Sequence, residues 1–502
     1  MAISRDDRSA FEIPTAREIE LDLALASPSW QSLLRPRFQP WVDSAEGTHA
    51  VVIGAGIAGL MAAGVLARRF DRVTIVDRDR LPAEPRYRPG VPQSHHVHGL
   101  LRGGLDVMER LHPGLESELV AAGAVPLSGA DFLRMSAAGW SKRFDSPALI
   151  AASRELIEWT VRRRVLGCAN VYVLDGHEVM GLIASADGAQ VVGVQLRGRR
   201  TFAVTPLYAD LVIDASGRNS RAPDWLDALG YGRPRETVIN SFLGYASCVL
   251  AIPERFAADW KIVMIGDKPP AMPRAGLLAP IEGNRWMVTL GGYARDYPPV
   301  DREGFLEFAR SLRSDVIFRA IRDAEPLSRI SGFRATTNRR RHFEQMPRWP
   351  ESFVVIGDGA CAFNPIYGQG MSVAAKSAAS LLLALQDCER TGFARRMQGS
   401  VAKATAAAWV IATGADVRYP TTEGRRPGVT DTVIRGYLDR VIEVSMQDAI
   451  VNDAFRRVVN LIDAPAALFR PAIAWRTLTG RRRPILEPPS RRSQAVLRPA
   501  RA

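Results

Sequence analysis

Three glycine-rich turns, each closing a short apolar run, hold the residues of this chain whose types and spacing could do chemistry. The first is Gly54-Ala55-Gly56-Ile57-Ala58-Gly59, directly after AVVI. A GxGxxG pattern at a strand-to-helix junction meets three demands: a tight turn, close approach of backbone to a pyrophosphate, and close helix packing. Asp77 stands 23 residues after Gly54, at the end of the next apolar run, where a carboxylate can accept hydrogen bonds from an adenosine ribose, with Arg78 beside it. The second turn, Asp214-Ala215-Ser216-Gly217-Arg218-Asn219-Ser220, follows LVI. Its Asp either braces the pyrophosphate loop or closes its own strand as an Asx-turn. The third is Gly357-Asp358 after FVVI, followed by Pro365-Ile366-Tyr367-Gly368-Gln369-Gly370-Met371. A carboxylate there can bond a ribityl hydroxyl, which nicotinamide cofactors lack, and a helix N-terminus can face the N1/C2 edge of an isoalloxazine. Read blandly, Asp358 is an N-cap and the two glycines make a turn. Together the turns point to FAD.

Other candidates are less specific. In Arg88-Pro89-Gly90-Val91-Pro92-Gln93-Ser94-His95-His96-Val97-His98, His96 and His98 would face one side if they lay on a strand. With no third ligand in register, pocket-lining or plain structural roles are expected and no metal is. Arg88, Gln93 and Phe363 are pocket candidates on the same footing; Trp286 and Tyr293 are candidate walls. No catalytic Ser-His-Asp or Cys-His arrangement stands out, nor an HExxH signature, and four scattered cysteines suit neither a disulfide framework nor a CxxC site. The residues doing chemistry would then belong to the cofactor.

Positioning these turns takes a strand–helix–strand unit at 50–79, further strands at Asp210–Asp214 and Phe353–Ile356, and a module between them with strand-like alternation at Arg285–Leu290 and a helical run at Arg302–Leu312. The expected fold is α/β: a Rossmann-like (GR2-type) FAD-binding domain interrupted by a β-sheet substrate domain, with a helical C-terminal region. Expected boundaries are an N-terminal extension at 1–47, the FAD-binding domain at 48–225 with an insertion near 85–150, and the substrate domain at 226–341. The FAD-binding domain returns at 342–400, followed by helices at 401–475 and a basic, disordered tail at 476–502. The 502 residues are 47% hydrophobic and 24% charged, ordinary for a folded chain. The apolar stretch Ala50–Ala67 is long enough to span a membrane, but its glycine spacing argues for the nucleotide turn. The net charge is +13, and five of the 66 basic residues are Lys. Residues 476–502 hold eight Arg against one Glu, +7 of that excess, so neither nucleic acid nor stable membrane insertion is expected. The N-terminus has no apolar signal region, and a cytoplasmic protein is expected.

The succession GAGIAG, Asp77, DASGRNS, GD and NPIYGQGM resembles the group A flavin monooxygenases, the para-hydroxybenzoate hydroxylase class, over about 51–376. The stretch 88–98, Asn338-Arg339-Arg340, Phe363–Gly368 and ATGADVRYPTTEG are similar to the monensin and lasalocid polyether epoxidases; His95 stands where that subgroup's pattern carries Arg. The resemblance implies that Arg154 lies against the FAD phosphates or ribityl chain, and that Val179 offers its backbone to adenine. It implies an FAD-dependent monooxygenase, using O2 and electrons from NAD(P)H or a separate flavin reductase. Such an enzyme would epoxidise alkene bonds of an apolar polyketide or terpenoid intermediate through a flavin C4a-hydroperoxide. The alternatives are a hydroxylase or dehydrogenase with the same cofactor, a non-redox FAD-containing Diels-Alder-type cyclase, and a binding module for anionic partners.

Overall fold

The computed structural model describes residues 47–146, 149–386, 391–424, 428–480 and 485–489. Its central sheet is five parallel strands in the order β5-β4-β1-β2-β3. They are β1 (His49–Ile53), β2 (Arg72–Asp77), β3 (Val171–Asp175), β4 (Leu211–Asp214) and β5 (Phe353–Val355). Helix α1 (Ile57–Leu66) follows the first turn and is apolar almost all round, because it lies between the sheet and the helices α2 (Arg154–Leu166) and α3 (Gly370–Ala384). The apolar stretch from Ala50 is therefore a strand, a turn and a buried helix, and no helix among the described residues is long and apolar enough to cross a membrane.

The second sheet has seven strands in the order Ser331–Phe333, Gly244–Ala251, Arg285–Gly292, Arg274–Ile281, Ile262–Ile265, Phe132–Ser136, Gly139–Trp140. Its last two strands come from the segment between β2 and β3, so residues 132–140 complete the sheet begun by 226–341. Period-two alternation gives it two apolar faces. Leu278, Val288 and Leu290 pack with Phe305, Phe308 and Ile317 of two helices behind the sheet, whereas Leu277, Ala279, Thr289 and Gly291 face a cavity in front. Trp286 belongs to the back: it is 2% exposed and edge-on to Phe256, so it is core and not a pocket wall. The expected helix at 302–312 runs Arg302–Arg310, capped by Asp301 accepting from the Gly304 N–H.

Beyond α3 follow α4 (Phe393–Asp416), α5 (Val429–Ser445), α6 (Ala449–Val459) and α7 (Pro471–Thr479). The expectation of a disordered tail from 476 fails at its start. Thr477 is fully buried in α7, and Ile485 accepts a backbone hydrogen bond from Trp140 while packing on the seven-stranded sheet's core. The expected extension at 1–47, except for Gly47, and the arginines beyond 489 lie outside the described residues.

Candidate functional site

One cavity of about 2020 Å³ runs from the ends of the parallel strands, beneath the second sheet, to the C-terminal helices. That is about twice the upper end of the roughly 300–1,000 Å³ that takes a drug-sized ligand, so it has room for a dinucleotide and a second molecule. The three turns converge on it. Gly54 adopts φ +100°, and a Cβ there would stand 2.7 Å from the Ala215 carbonyl oxygen, so the second turn packs on the first. A Cβ on Gly59 would lie 1.8 Å from the Gly54 oxygen, which fixes the helix-to-strand distance. Gly56 is different: a Cβ there meets nothing within 4 Å and would project into the cavity. Gly357, at φ +61°, holds its backbone against Ala58. Asp214 is fully buried, accepting from the Ser216 N–H at 2.9 Å and the Ser220 hydroxyl at 2.5 Å. It closes its own loop, which in turn leans on Gly54; Gly217, at φ +83°, faces the cavity.

Asp77, Arg78 and Val179 line one end. The Asp77 carboxylate is already engaged, by the Ala55 N–H at 2.6 Å, the Asp79 N–H at 2.8 Å and Arg88. Arg88 lines the same cavity, with its charge taken up inside the protein. Its guanidinium bridges Asp77 and Asp79 to Glu158 on α2, with Glu158 at 2.6 Å. Burial works against that charge, but Glu158, Asp77 and Asp79 outweigh it and raise the Arg88 pKa. Arg154, on the cavity wall, binds Glu158 through one nitrogen at 2.8 Å while its other terminal nitrogen is buried without a partner.

At the centre, Gln93, His96, His98 and Phe363 all line the cavity. His96 and His98 follow a short 3₁₀ turn at Pro92–His95 and are not on a strand, so they diverge. His96 Nδ1 bonds the Ser247 hydroxyl at 2.7 Å under the second sheet, and its ring meets Tyr245 and Phe333. His98 turns back, its Nδ1 2.8 Å from the His96 carbonyl. Burial lowers both pKa values, to about 3 for His96 and about 4 for His98, so both rings are neutral at pH 7. Among the described residues no group of three His, Cys, Asp or Glu could hold a metal.

A buried polar chain was not singled out from sequence. Asp416, the last residue of α4, accepts from Asn338 at 2.6 Å, Asn364 at 3.2 Å and the Tyr367 hydroxyl at 3.0 Å. Tyr245 donates to Asn364 at 3.1 Å, and the Tyr293 hydroxyl lies 3.3 Å from that of Tyr367. Tyr419 stacks on Tyr293 and donates to Asp267 at 2.5 Å. Burial lifts Tyr245, Tyr293 and Tyr367 well above the usual phenol range and pushes Asp416 up to about 6. The chain pins Pro365–Gly368, whose Gly368 sits at φ +66°, just before α3 begins at Gly370 and Met371. The signal available was ATGADVRYPTTEG, which contains Asp416 and Tyr419.

Residues 47–415 match the FAD binding domain family, FAD_binding_3. The chain belongs to that family. Within it, this FAD-binding protein is 31% identical to Protein Rv3254 of Mycobacterium tuberculosis (strain ATCC 25618 / H37Rv) over 443 residues, 83% of this chain and 90% of that one. It is 27% identical to Monooxygenase cfoF of Aspergillus candidus over 360 residues, 66% and 81% of the two chains. Among solved structures, pqsL of Pseudomonas aeruginosa superposes with TM-score 0.54 at 18% identity, over 74% of this chain and 98% of that one. The flavin-dependent brominase Bmp2 superposes with TM-score 0.57 at 16% identity, over 86% and 98%. The fold is that of the group A flavin monooxygenases, and the cofactor is FAD.

The residues present fit FAD. Asp358 lines the cavity with no hydrogen-bond or ion-pair partner among the described residues, and burial raises its pKa despite Arg218, Arg154 and Arg339 nearby. The Gln369 amide is 2% exposed, lines the same wall, and has neither oxygen nor nitrogen satisfied. With the spare Arg154 nitrogen and the open faces of Gly56 and Gly368, these are groups waiting for a polar, phosphate-bearing molecule.

Proposed function

We propose that this protein is an FAD-dependent monooxygenase that epoxidises alkene bonds of an apolar polyketide or terpenoid intermediate, with NAD(P)H or a separate flavin reductase as electron source. The observation that carries this reading is the continuity of the cavity: the dinucleotide cradle opens directly into a chamber walled by Met135, Met264, Leu277, Phe333 and Phe363. In outline, one oxygen atom of O2 enters the alkene and the other leaves as water, while NAD(P)H is oxidised. FAD bound here supplies the oxygen activation. The protein's part is to hold and to keep dry. Gly54, Gly56 and Arg154 would receive the pyrophosphate, Asp77, Arg78 and Val179 the adenosine, Asp358 the ribityl chain, and Gln369–Met371 the ring edge. We assign FAD binding to 48–225 and 342–400, and substrate binding to 226–341 with strands 132–140 under helices 401–475. The setting we propose is the cytoplasm, which supplies NAD(P)H.

Epoxidation is favoured over phenol hydroxylation by what lines the chamber. Deprotonating a phenol calls for a base whose pKa approaches the working pH. His96 and His98 titrate near 3 and 4, the three tyrosines stay protonated, and the two carboxyls that burial raises, Asp416 and Asp267, are taken up by Asn338, Asn364 and Tyr367 and by Tyr419. An alkene needs no such base. The test is anaerobic NADPH reduction followed by exposure to labelled O2 with a panel of apolar polyenes. One labelled oxygen in the product is expected. Loss of hydrogens would indicate a dehydrogenase, and a mass-neutral rearrangement a cyclase; either overturns this reading.

A further inference from the structure

We propose that the far end of the chamber recognises an oxyanion, a carboxylate or phosphate head group on an otherwise apolar substrate, through Arg134 and Arg456. This rests on reading the chamber as the substrate site. Three buried arginines elsewhere in this protein are partnered: Arg88 by three carboxylates, Arg341 by Glu236 and the Gly359 carbonyl, Arg143 by Asp259. Arg134 and Arg456, by contrast, are half-buried; both line the cavity, and among the described residues no hydrogen bond or ion pair reaches either guanidinium. Each lies instead over an aromatic face. Arg134 Cζ is 5.5 Å from the Phe455 ring centre, and Arg456 Cζ is 4.9 Å from that of Phe132.

The arrangement follows from the elements. Phe132 and Arg134 are two apart on one strand and share its face, and α6 presents the consecutive Phe455 and Arg456 to it. An aromatic face attracts a cation but carries no charge to neutralise it. Two like charges are thus held together in an apolar place. Desolvation pushes the Arg134 pKa down to about 10, and desolvation with repulsion from Arg134 pushes Arg456 down to about 9. An anion with two oxygens would satisfy both forks at once, and guanidinium suits carboxylate and phosphate alike. Ile262 and Met264, on the neighbouring strand, would take the adjoining hydrocarbon.

The test uses FAD-loaded full-length protein and four probes: dodecanoate, dodecyl phosphate, dodecanol and inorganic phosphate. Binding is followed by calorimetry. At least one of the two anionic amphiphiles is expected to bind about tenfold or more tighter than dodecanol, and the tighter of the pair identifies the head group. Arg134→Gln and Arg456→Gln should each erase that preference while leaving dodecanol within about twofold. Equal affinity for acid, phosphate ester and alcohol, or equal loss of all three in the variants, would overturn the proposal. So would inorganic phosphate binding as tightly as dodecyl phosphate. A second variant, Arg456→Met, separates recognition from packing: its ligand-free melting temperature should equal or exceed that of the parent, and a fall of about 5 °C would make the guanidinium a structural group. Binding is read without turnover. The head-group preference can therefore fail while oxygenation is seen, and oxygenation can fail while the preference stands.

Discussion

Two glycines of one motif do different work, and substitutions can tell them apart. At Gly56 a side chain meets no protein atom and points where the pyrophosphate would lie. Gly56→Val should therefore leave the apoprotein folded, with a melting temperature near the parent's, but bring retained flavin, read from the 450 nm absorbance after dialysis, to below about a tenth. At Gly59 a Cβ would lie 1.8 Å from the Gly54 oxygen, so Gly59→Ala should cost stability itself, by about 2 kcal/mol or more in urea unfolding. Asp358→Ala should lose flavin without losing fold, because an unpaired carboxylate contributes nothing to the empty protein. An Asp358→Ala variant that keeps full flavin would remove the ribityl role.

At the scale of elements, the site depends on the bend at Pro365–Gly368 being held at the start of α3. Tyr367→Phe removes the hydroxyl that joins Tyr293 to Asp416. The expected result is a stability loss of about 1–2 kcal/mol with flavin bound several-fold more weakly, measured by urea unfolding and flavin titration. Unchanged flavin affinity would mean that the chain steadies α4 alone. The three turns were legible because each is local: a run of apolar residues, then glycines whose spacing already encodes a bend. Asp416, Asn338 and Tyr245 were not, since they are far apart in sequence and meet only where α4 packs against the strands Asn338–Arg341 and Cys361–Ala362. Trp286 shows a related limit. Alternation reveals that Arg285–Gly292 is a strand with two apolar faces, but not which face looks into a cavity, a choice made by the helix Arg302–Arg310 packing behind it. Arg88 does line the cavity, as its neighbours in sequence suggest, but they do not reveal that its charge is held by Glu158 from α2, 70 residues later.

For the molecule as a whole, buried histidines set an acid limit. His112 lies outside the cavity, packed under Gly64, and burial with Arg68 and Arg164 nearby lowers its pKa to about 4 from 6.5. Above pH 6.5 it is neutral whether folded or not. As the pH falls toward 4 the unfolded chain takes up the proton first, so up to about 3 kcal/mol of stability drains away over that window. Urea unfolding at pH 7.5 and 4.5 should show His112→Gln losing less than the parent, and an equal loss would contradict the shift. The interleaving of the chain has a consequence for anyone wishing to re-engineer specificity. The sheet over the chamber owes the strand Phe132–Ser136, with Arg134 on it, to a segment threaded between two strands of the nucleotide domain. Residues 226–341 are therefore not a cassette. Transplanted alone into a relative, they would inherit the host's strand at that edge, and with it the host's choice of what the far wall accepts.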